Sequence, residues 1–191
     1  MTSLELQVCE AYSQIAREPR DNPYFPAGRL LAEGLGYSEA LLDSIPLASV
    51  EAFCGVADVS LFAEMDEQTV VLDFGCGAGL DSIVAARRGA QVIGVDFSLE
   101  MLNRAQGAIL TAGLATKITL LKADAQSLPL LDQSVDVALI NGIFNLNPDR
   151  RSIFAELARV IRPGESVYAA EIILTEPLHD GAAANAANWF T

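Results

Sequence analysis

From residue 69 onward the chain alternates short apolar, β-branched runs with segments of 3.6-residue periodicity, and this alternation limits the fold more than any other feature. Residues 69–74 (Thr-Val-Val-Leu-Asp-Phe) have the pattern of a buried strand and end at a glycine cluster. Residues 80–88 carry helical spacing and stop at Gly89. Residues 91–96 read as a second strand, 98–113 as a helix ending at glycine, 117–124 as a third strand and 135–141 as a fourth. A helix is expected over 149–161, closed by Arg162-Pro163-Gly164, with a fifth strand over 166–174. Such spacing demands parallel strands, right-handed crossovers and helices on both faces. The expected fold is α/β, a doubly wound, mostly parallel sheet. It is short at its C-terminal end, because the 17 residues after Leu174 are too few for two more strands with their helices.

Residues 1–66 have a different texture. Ser3 can open a helix in which Leu4, Val8, Tyr12 and Ile15 recur at about four-residue spacing, and Pro19 stops it. Residues 17–28 (REPRDNPYFPAG) are turn-rich, and three brief helical patterns follow at 38–42, 47–53 and 57–65. The chain therefore divides into a helical N-terminal lid segment, 1–66, and an α/β core, 67–191.

The glycine cluster carries the chemistry. Asp73-Phe74-Gly75-Cys76-Gly77-Ala78-Gly79-Leu80-Asp81 lies between a strand and a helix, at the carboxyl edge where open α/β sheets bind ligands. Its glycines let the backbone turn tightly and approach a ligand. Acids at both ends of the turn would repel a pyrophosphate; they suit a ligand with a cationic amino group and a sulfonium. Asp96 ends the second strand, 19 residues after Gly77, where a carboxylate accepts two ribose hydroxyls. Asp124 ends the third strand, placed to accept from an adenine amino group with the Ala125 backbone beside it; Phe97 and Met101 can sandwich the base. Met101 also fits a core position at helical spacing, and strand-terminal Asp also forms turns.

These segments, VLDFGCGAG, VIGVD and KADAQSLPLLDQSVDVALIN, resemble the class I S-adenosylmethionine-dependent methyltransferases over about residues 69–174. The resemblance implies S-adenosylmethionine as cofactor, held by Tyr12, Asp73, Phe74, Gly75, Gly77, Asp96, Phe97, Met101, Asp124, Ala125 and Asn141. It implies methyl transfer to a small-molecule acceptor, with Asn141, Asn145 and Cys54 as candidates near the reacting centre. Tyr12 on the first helix is read as part of a lid or as core packing. Phe25-Pro-Ala-Gly-Arg-Leu-Leu-Ala-Glu-Gly-Leu-Gly36, the Phe53-Cys54-Gly55 triplet and Asn141-Gly-Ile-Phe-Asn-Leu-Asn-Pro-Asp149 are similar to the arsenite methyltransferase group. That group typically has a cysteine where this chain has Gly142. Only Cys54 stands at a matching thiol position, and one thiol does not chelate a soft centre. Two other readings stay open: a cofactor-binding protein without catalysis, and a nicotinamide-dependent oxidoreductase.

Composition narrows the partners. A net charge of −13 with pI near 4.3 disfavours nucleic acid and anionic membranes. No run of 18 apolar residues occurs, the N-terminus has no signal-peptide pattern, and Cys9, Cys54 and Cys76 form no CxxC pair. A cytoplasmic protein with reduced thiols is expected, with no bound metal and with His179 in a surface loop. The fifth strand, with Val167, Tyr168, Ile172, Ile173 and Leu174, is expected to be an apolar sheet edge. Such an edge self-associates or is covered by the Ala-rich tail with Trp189 and Phe190.

Overall fold

The computed structural model describes residues 3–21, 25–147, 149–173 and 175. Five parallel strands, β1 (Val70–Phe74), β2 (Gln91–Asp96), β3 (Ile118–Lys122), β4 (Val135–Asn141) and β5 (Ile161–Ala170), lie in the order β3-β2-β1-β4-β5. The order reverses beside β1, so β1 and β4 part at their carboxyl ends and open a crevice there.

Period-2 alternation decides which residues face which layer. Leu72, Phe74, Val95, Val135, Ala138 and Ile140 point to one face, where α7 (Arg150–Val160) covers them with Ile153, Leu157 and Val160. Val71, Val92, Val137 and Leu139 point to the other, covered by α5 (Leu80–Arg87) and α6 (Leu99–Thr111). The same parity puts Asp73, Gly94, Asp96 and Asn141 on this second face, at the tips of their strands.

The N-terminal segment packs onto that face too. It comprises α1 (Ser3–Arg17), α2 (Arg29–Gly34), α3 (Glu39–Ser44), α4 (Leu47–Glu51) and a 3₁₀ turn at Val59–Phe62. Tyr37, Leu42, Val50, Phe53 and Val59 share one buried cluster with Val71, Ile83 and Leu139, so the described part of this segment completes the core.

Several expectations need correction. The turn-rich stretch is followed at once by α2, which has no side-chain cap, so its start carries no sequence signal. Residues 57–65 form only the 3₁₀ turn, fixed by Asp58 accepting from the Leu61 N–H at 3.2 Å. The third strand stops at Lys122, two residues short of Asp124. Arg162-Pro163-Gly164 does not close a helix: α7 ends at Val160, and β5 starts at Ile161 and runs through the triplet to Ala170. An edge strand tolerates proline's missing N–H, and a register shift opposite Val135–Val137 absorbs Gly164 at φ 91°. The β5 flank exposes Val167, Ile172 and Ile173, whereas Tyr168 packs against the core. Leu174, His179, Trp189 and Phe190 lie outside the described residues.

Gly94 carries the glycine loop from below. A Cβ there would lie 2.8 Å from Leu120 Cδ2, 3.1 Å from Cys76 Sγ and 3.2 Å from Ser82 Oγ. Gly94→Ala is expected to destabilise the fold by about 1–3 kcal/mol through overpacking. Urea denaturation measures it; an unchanged midpoint would show that the loop has slack.

Candidate functional site

The loop after β1 is tied to β2 by three hydrogen bonds. The Gly75 and Cys76 N–H groups both donate to Val95 O, at 2.8 and 2.9 Å, and the Gly77 N–H donates to Asp96 Oδ2 at 2.9 Å. Asp96 Oδ1 accepts from the Ser98 N–H at 2.8 Å, which also starts α6. Gly75 and Gly77 have φ of 83° and 50°, a region that favours glycine. They are glycine for different reasons in space. A Cβ at Gly75 would collide with the Ile143 side chain, whereas one at Gly77 has no neighbour nearer than Met101 Sδ at 4.0 Å.

Two adjoining clefts open at the strand tips. The inner one, about 50 Å³, is lined by Tyr12, Cys54, Asp73, Gly77, Asp81, Asp96, Phe97 and Asn141, among others. The outer one, about 420 Å³, is lined by Cys9, Phe74, Asp96, Phe97, Asp124, Ala125 and their neighbours. Gly75, Asp96, Phe97, Ile143 and Leu146 line both, so the two form one bent groove with Asp96 at the bend.

The electrostatics of the inner cleft are one-sided. Asp73, Asp81 and Asp96 are buried there, and no described lining residue is a lysine or arginine. Burial pushes the Asp96 carboxyl up to about 6, against hydrogen bonds from Ser98, Gly77 and Phe97 that pull it down. Asp73 is pushed well above the usual carboxylate range by burial and then by the charges of Asp81 and Asp96, with Ser82 Oγ donating to it at 2.5 Å. Asp81 is raised by burial and eased by donors from Tyr37 (2.5 Å) and Asn141 (3.0 Å). Cys54 is pushed up to about 12 by burial and by Asp96, so it is a thiol rather than a thiolate.

The structure sorts the sequence-predicted residues into three groups. Tyr12, Asp73, Phe74, Gly75, Gly77, Asp96, Phe97, Asp124, Ala125, Asn141 and Cys54 all line the groove. Met101 does not: it is fully buried among Ile15, Ala16, Ala52 and Ala78, and it supports α1 from beneath. Asn145 does not either. Its Nδ2 donates to Ile172 O at 2.5 Å and its Oδ1 accepts from Arg150 at 3.1 Å, so it fastens the chain that follows β5. Asp124 is exposed and accepts from the Gln126 N–H at 2.9 Å, forming a turn while it lines the outer cleft. It does not join Asp73: the first lines only the outer cleft, the second only the inner one.

Other residues escaped the sequence reading. Arg104 on α6 donates to Ala16 O (3.0 Å), Ala48 O (2.6 Å) and Glu51 (2.9 Å), binding the ends of α1 and α4 to the core. Ser13 meets Ser98 and Glu100 at 3.0 Å each. These contacts seat Tyr12 between Phe25 and Phe97, ring centroids 5.2 and 6.2 Å away, over the bend of the groove. No periodicity marks an arginine whose partners are main-chain oxygens, so no pattern could have found it.

Comparison with known proteins agrees with this geometry. Residues 71–164 match the family described as methyltransferase domain. The arsenite methyltransferase of Halobacterium salinarum is 33% identical over 156 residues, which cover 78% of this chain and 38% of that protein. Methyltransferase GfsG of Streptomyces halstedii is 37% identical over 116 residues, 60% of this chain and 41% of that one. The crystal structure of an arsenic(III) S-adenosylmethionine methyltransferase from Chlamydomonas reinhardtii superimposes with TM-score 0.62 at 27% identity, over 69% of this chain and 47% of that one. Over residues 71–164 the chain carries the methyltransferase domain match, and it is similar there to S-adenosylmethionine-dependent methyltransferases. It spans about two fifths of the length of the curated relatives just named.

Carboxylates whose pKa is raised by folding stabilise the fold fully below their unfolded value, about 3.9. That stability is lost as pH rises through the folded value, about 6 for Asp96 and higher than usual for Asp73 and Asp81. The cofactor-free chain is therefore expected to melt at lower temperature at pH 8 than at pH 5. Each such carboxylate contributes up to about 1.4 kcal/mol per pH unit in the window. S-adenosylmethionine, a cation, should shrink the drop. Calorimetric melts at both pH values check this; a melting temperature that rises toward pH 8 without cofactor would contradict it.

Proposed function

We propose that the chain is an S-adenosylmethionine-dependent methyltransferase acting on a small-molecule acceptor. The observation that carries the reading is the inner cleft: three buried carboxylates, no cation among the described lining residues, and a glycine at 77 whose absent Cβ leaves the loop open to a ligand. That donor set fits a cofactor with a cationic amino group and a sulfonium, and it does not fit a pyrophosphate, which disfavours the nicotinamide reading. Asp96, at the bend, is the acceptor for ribose hydroxyls. Phe97, Phe74 and Ala125 form the apolar walls for the base, with Asp124 at its polar edge. Asp73 and the Gly75–Gly77 backbone take the amino-acid end, and Tyr12 closes the groove from above. When bound, S-adenosylmethionine supplies an electrophilic methyl group.

The chain's own contribution is then to orient the reactants and exclude water, which together supply most of the acceleration of an in-line displacement. Tyr12, Phe53, Ile143 and Leu146 contribute apolar surface to the inner cleft. Among the described residues the inner cleft offers no unengaged base: Asp73, Asp81 and Asp96 each accept hydrogen bonds within the protein, and Cys54 is protonated. An acceptor that brings its own reactive nucleophile, such as an acidic thiol or a stabilised carbanion, suits such a site. The absence of a base also favours a second reading, cofactor binding without turnover. A turnover assay across thiol, quinone and arsenical acceptors separates the two.

Asp96→Ala removes both the ribose acceptor and the anchor of the Gly77 N–H. It is expected to weaken S-adenosylhomocysteine binding by about tenfold or more, since hydrogen bonds to a charged group are worth roughly 1.5–3 kcal/mol each. Calorimetry returning the unaltered affinity would overturn the assignment.

Arsenite is proposed not to be an efficient acceptor, because Gly142 stands where the arsenite methyltransferase group has a cysteine, which leaves Cys54 alone at a matching thiol position. A Cβ at Gly142 would meet only Val56, at 3.4 Å, so space exists, although φ of 80° strains any other residue by about 1–2 kcal/mol. The unaltered chain should yield little methylated arsenic, and Gly142→Cys should bind arsenic(III) more tightly. Chromatography of methylated arsenicals decides the first point; abundant product from the unaltered chain would contradict it.

A further inference from the structure

Asn141, at the tip of β4, uses every hydrogen-bonding position of its amide within the protein. Its Oδ1 accepts from the Val56 N–H at 2.7 Å and the Ala57 N–H at 3.2 Å. Its Nδ2 donates to Ala57 O at 2.8 Å and to Asp81 Oδ2 at 3.0 Å. Two acceptor sites and two donor hydrogens are the full capacity of a primary amide. The Tyr37 hydroxyl reaches the same two partners, Asp81 Oδ1 at 2.5 Å and Ala57 O at 3.1 Å. One amide thus fastens residues 56–57 to the sheet and to α5.

The other end of this loop is fastened independently. Phe53 O accepts from the Gly28 N–H at 2.7 Å, and the Phe53 ring stands edge-on to Tyr37 with centroids 5.0 Å apart. Between these two anchors lie only Cys54 and Gly55, which line the inner cleft together with Asp73, Gly75 and Gly77. Gly55 lies flat on the amide: a Cβ there would sit 2.5–2.8 Å from Asn141 Nδ2, Cγ and Oδ1. Loop and amide fit only with glycine at 55 and an uncharged amide at 141, since a carboxylate there would face both Ala57 O and Asp81.

We propose that Asn141 is a positioning residue of the methyl-transfer site: its saturated amide sets the distance between the Cys54–Gly55 wall and the cofactor loop, and so fixes where the acceptor sits. Asn141 does not touch the acceptor itself. The proposal rests on the methyltransferase reading for the meaning of that wall, whereas the fastening of the wall is a property of the chain alone. Loss of the amide frees residues 54–57 while leaving Asp96 and its anchor of Gly77 in place.

Labelling of the three cysteines with N-ethylmaleimide, resolved by peptide mass spectrometry, reads the wall directly. Asn141→Asp and Gly55→Ala are each expected to raise the Cys54 rate by about tenfold, as loss of local hydrogen bonds favours opening. Cys76, buried beneath the glycine loop, should keep its rate. Asn141→Asp is nearly isosteric, so a residue that merely fills space would leave Cys54 unaffected, and that result overturns the proposal. Cys54 and Cys76 accelerating together also overturns it, because the amide would then serve the whole fold. Hydrogen exchange of the unaltered chain provides a test without variants: the Val56 and Ala57 amides must be protected despite lying in a loop, and free exchange there contradicts the fastening. Failure of the unaltered chain to bind S-adenosylhomocysteine would instead remove the methyltransferase reading, while the labelling contrast would still judge the role of Asn141.

Discussion

Asp96 accepts main-chain N–H bonds from the glycine loop and from the start of α6, while it is buried beside Asp73, whose carboxyl its charge pushes up. Most of the site's geometry follows from this. The bond to Gly77 sets the height of the loop over β2, the bond to Ser98 sets the direction in which α6 leaves, and the carboxylate stands at the bend shared by the two clefts. Burying charge costs stability unless it is compensated. Asp96 is compensated by dipoles, Asp81 by Tyr37 and Asn141, and Asp73 by Ser82. The compensation is partial, since all three carboxyls remain pushed upward. The fold carries this cost at the one place where a cationic ligand would relieve it.

The N-terminal segment completes the arrangement. Without α1 and α4 the glycine loop and Asp96 would face water, and their electrostatics would be screened. Arg104 holds both helix ends, Met101 supports α1 from below, and Tyr12 reaches over the groove between two phenylalanines. The cover is thus attached to α6, the helix whose start Asp96 fixes. Cover and cleft are joined through α6, which bears both the Ser98 bond to Asp96 and the Arg104 bonds to α1 and α4.

Legibility in the sequence followed the range of the interactions. Strands β1, β2 and β4 and helix α6 were readable because period-2 and period-3.6 patterns record burial within a few residues. Asp73, Gly77 and Asp96 were readable because they lie within those patterns at strand ends. β5 was misplaced because proline and glycine normally punctuate helices, and only its edge position, a tertiary fact, allows them inside a strand. Asp124 fits both a turn and the cleft, and sequence alone does not divide those roles. Asn145 looked polar and available, yet its partners, Ile172 O and Arg150, depend on where the chain runs after β5. Asn141 lines the cleft as its motif suggests, but its bonds to residues 56 and 57 were not legible, because these partners 84 and 85 residues away are main-chain groups of a loop without periodicity.

If the buried carboxylates form a cation site, loading it must expel protons. Isothermal titration of S-adenosylmethionine into the chain at pH 6, in buffers of different ionisation enthalpy, measures that number directly. Net proton release, seen as a binding enthalpy that changes with the buffer and with the sign of release, is the expected result, since Asp96 alone is pushed up to about 6. Binding with no buffer dependence, or with proton uptake, would contradict a cleft built around ionising carboxylates.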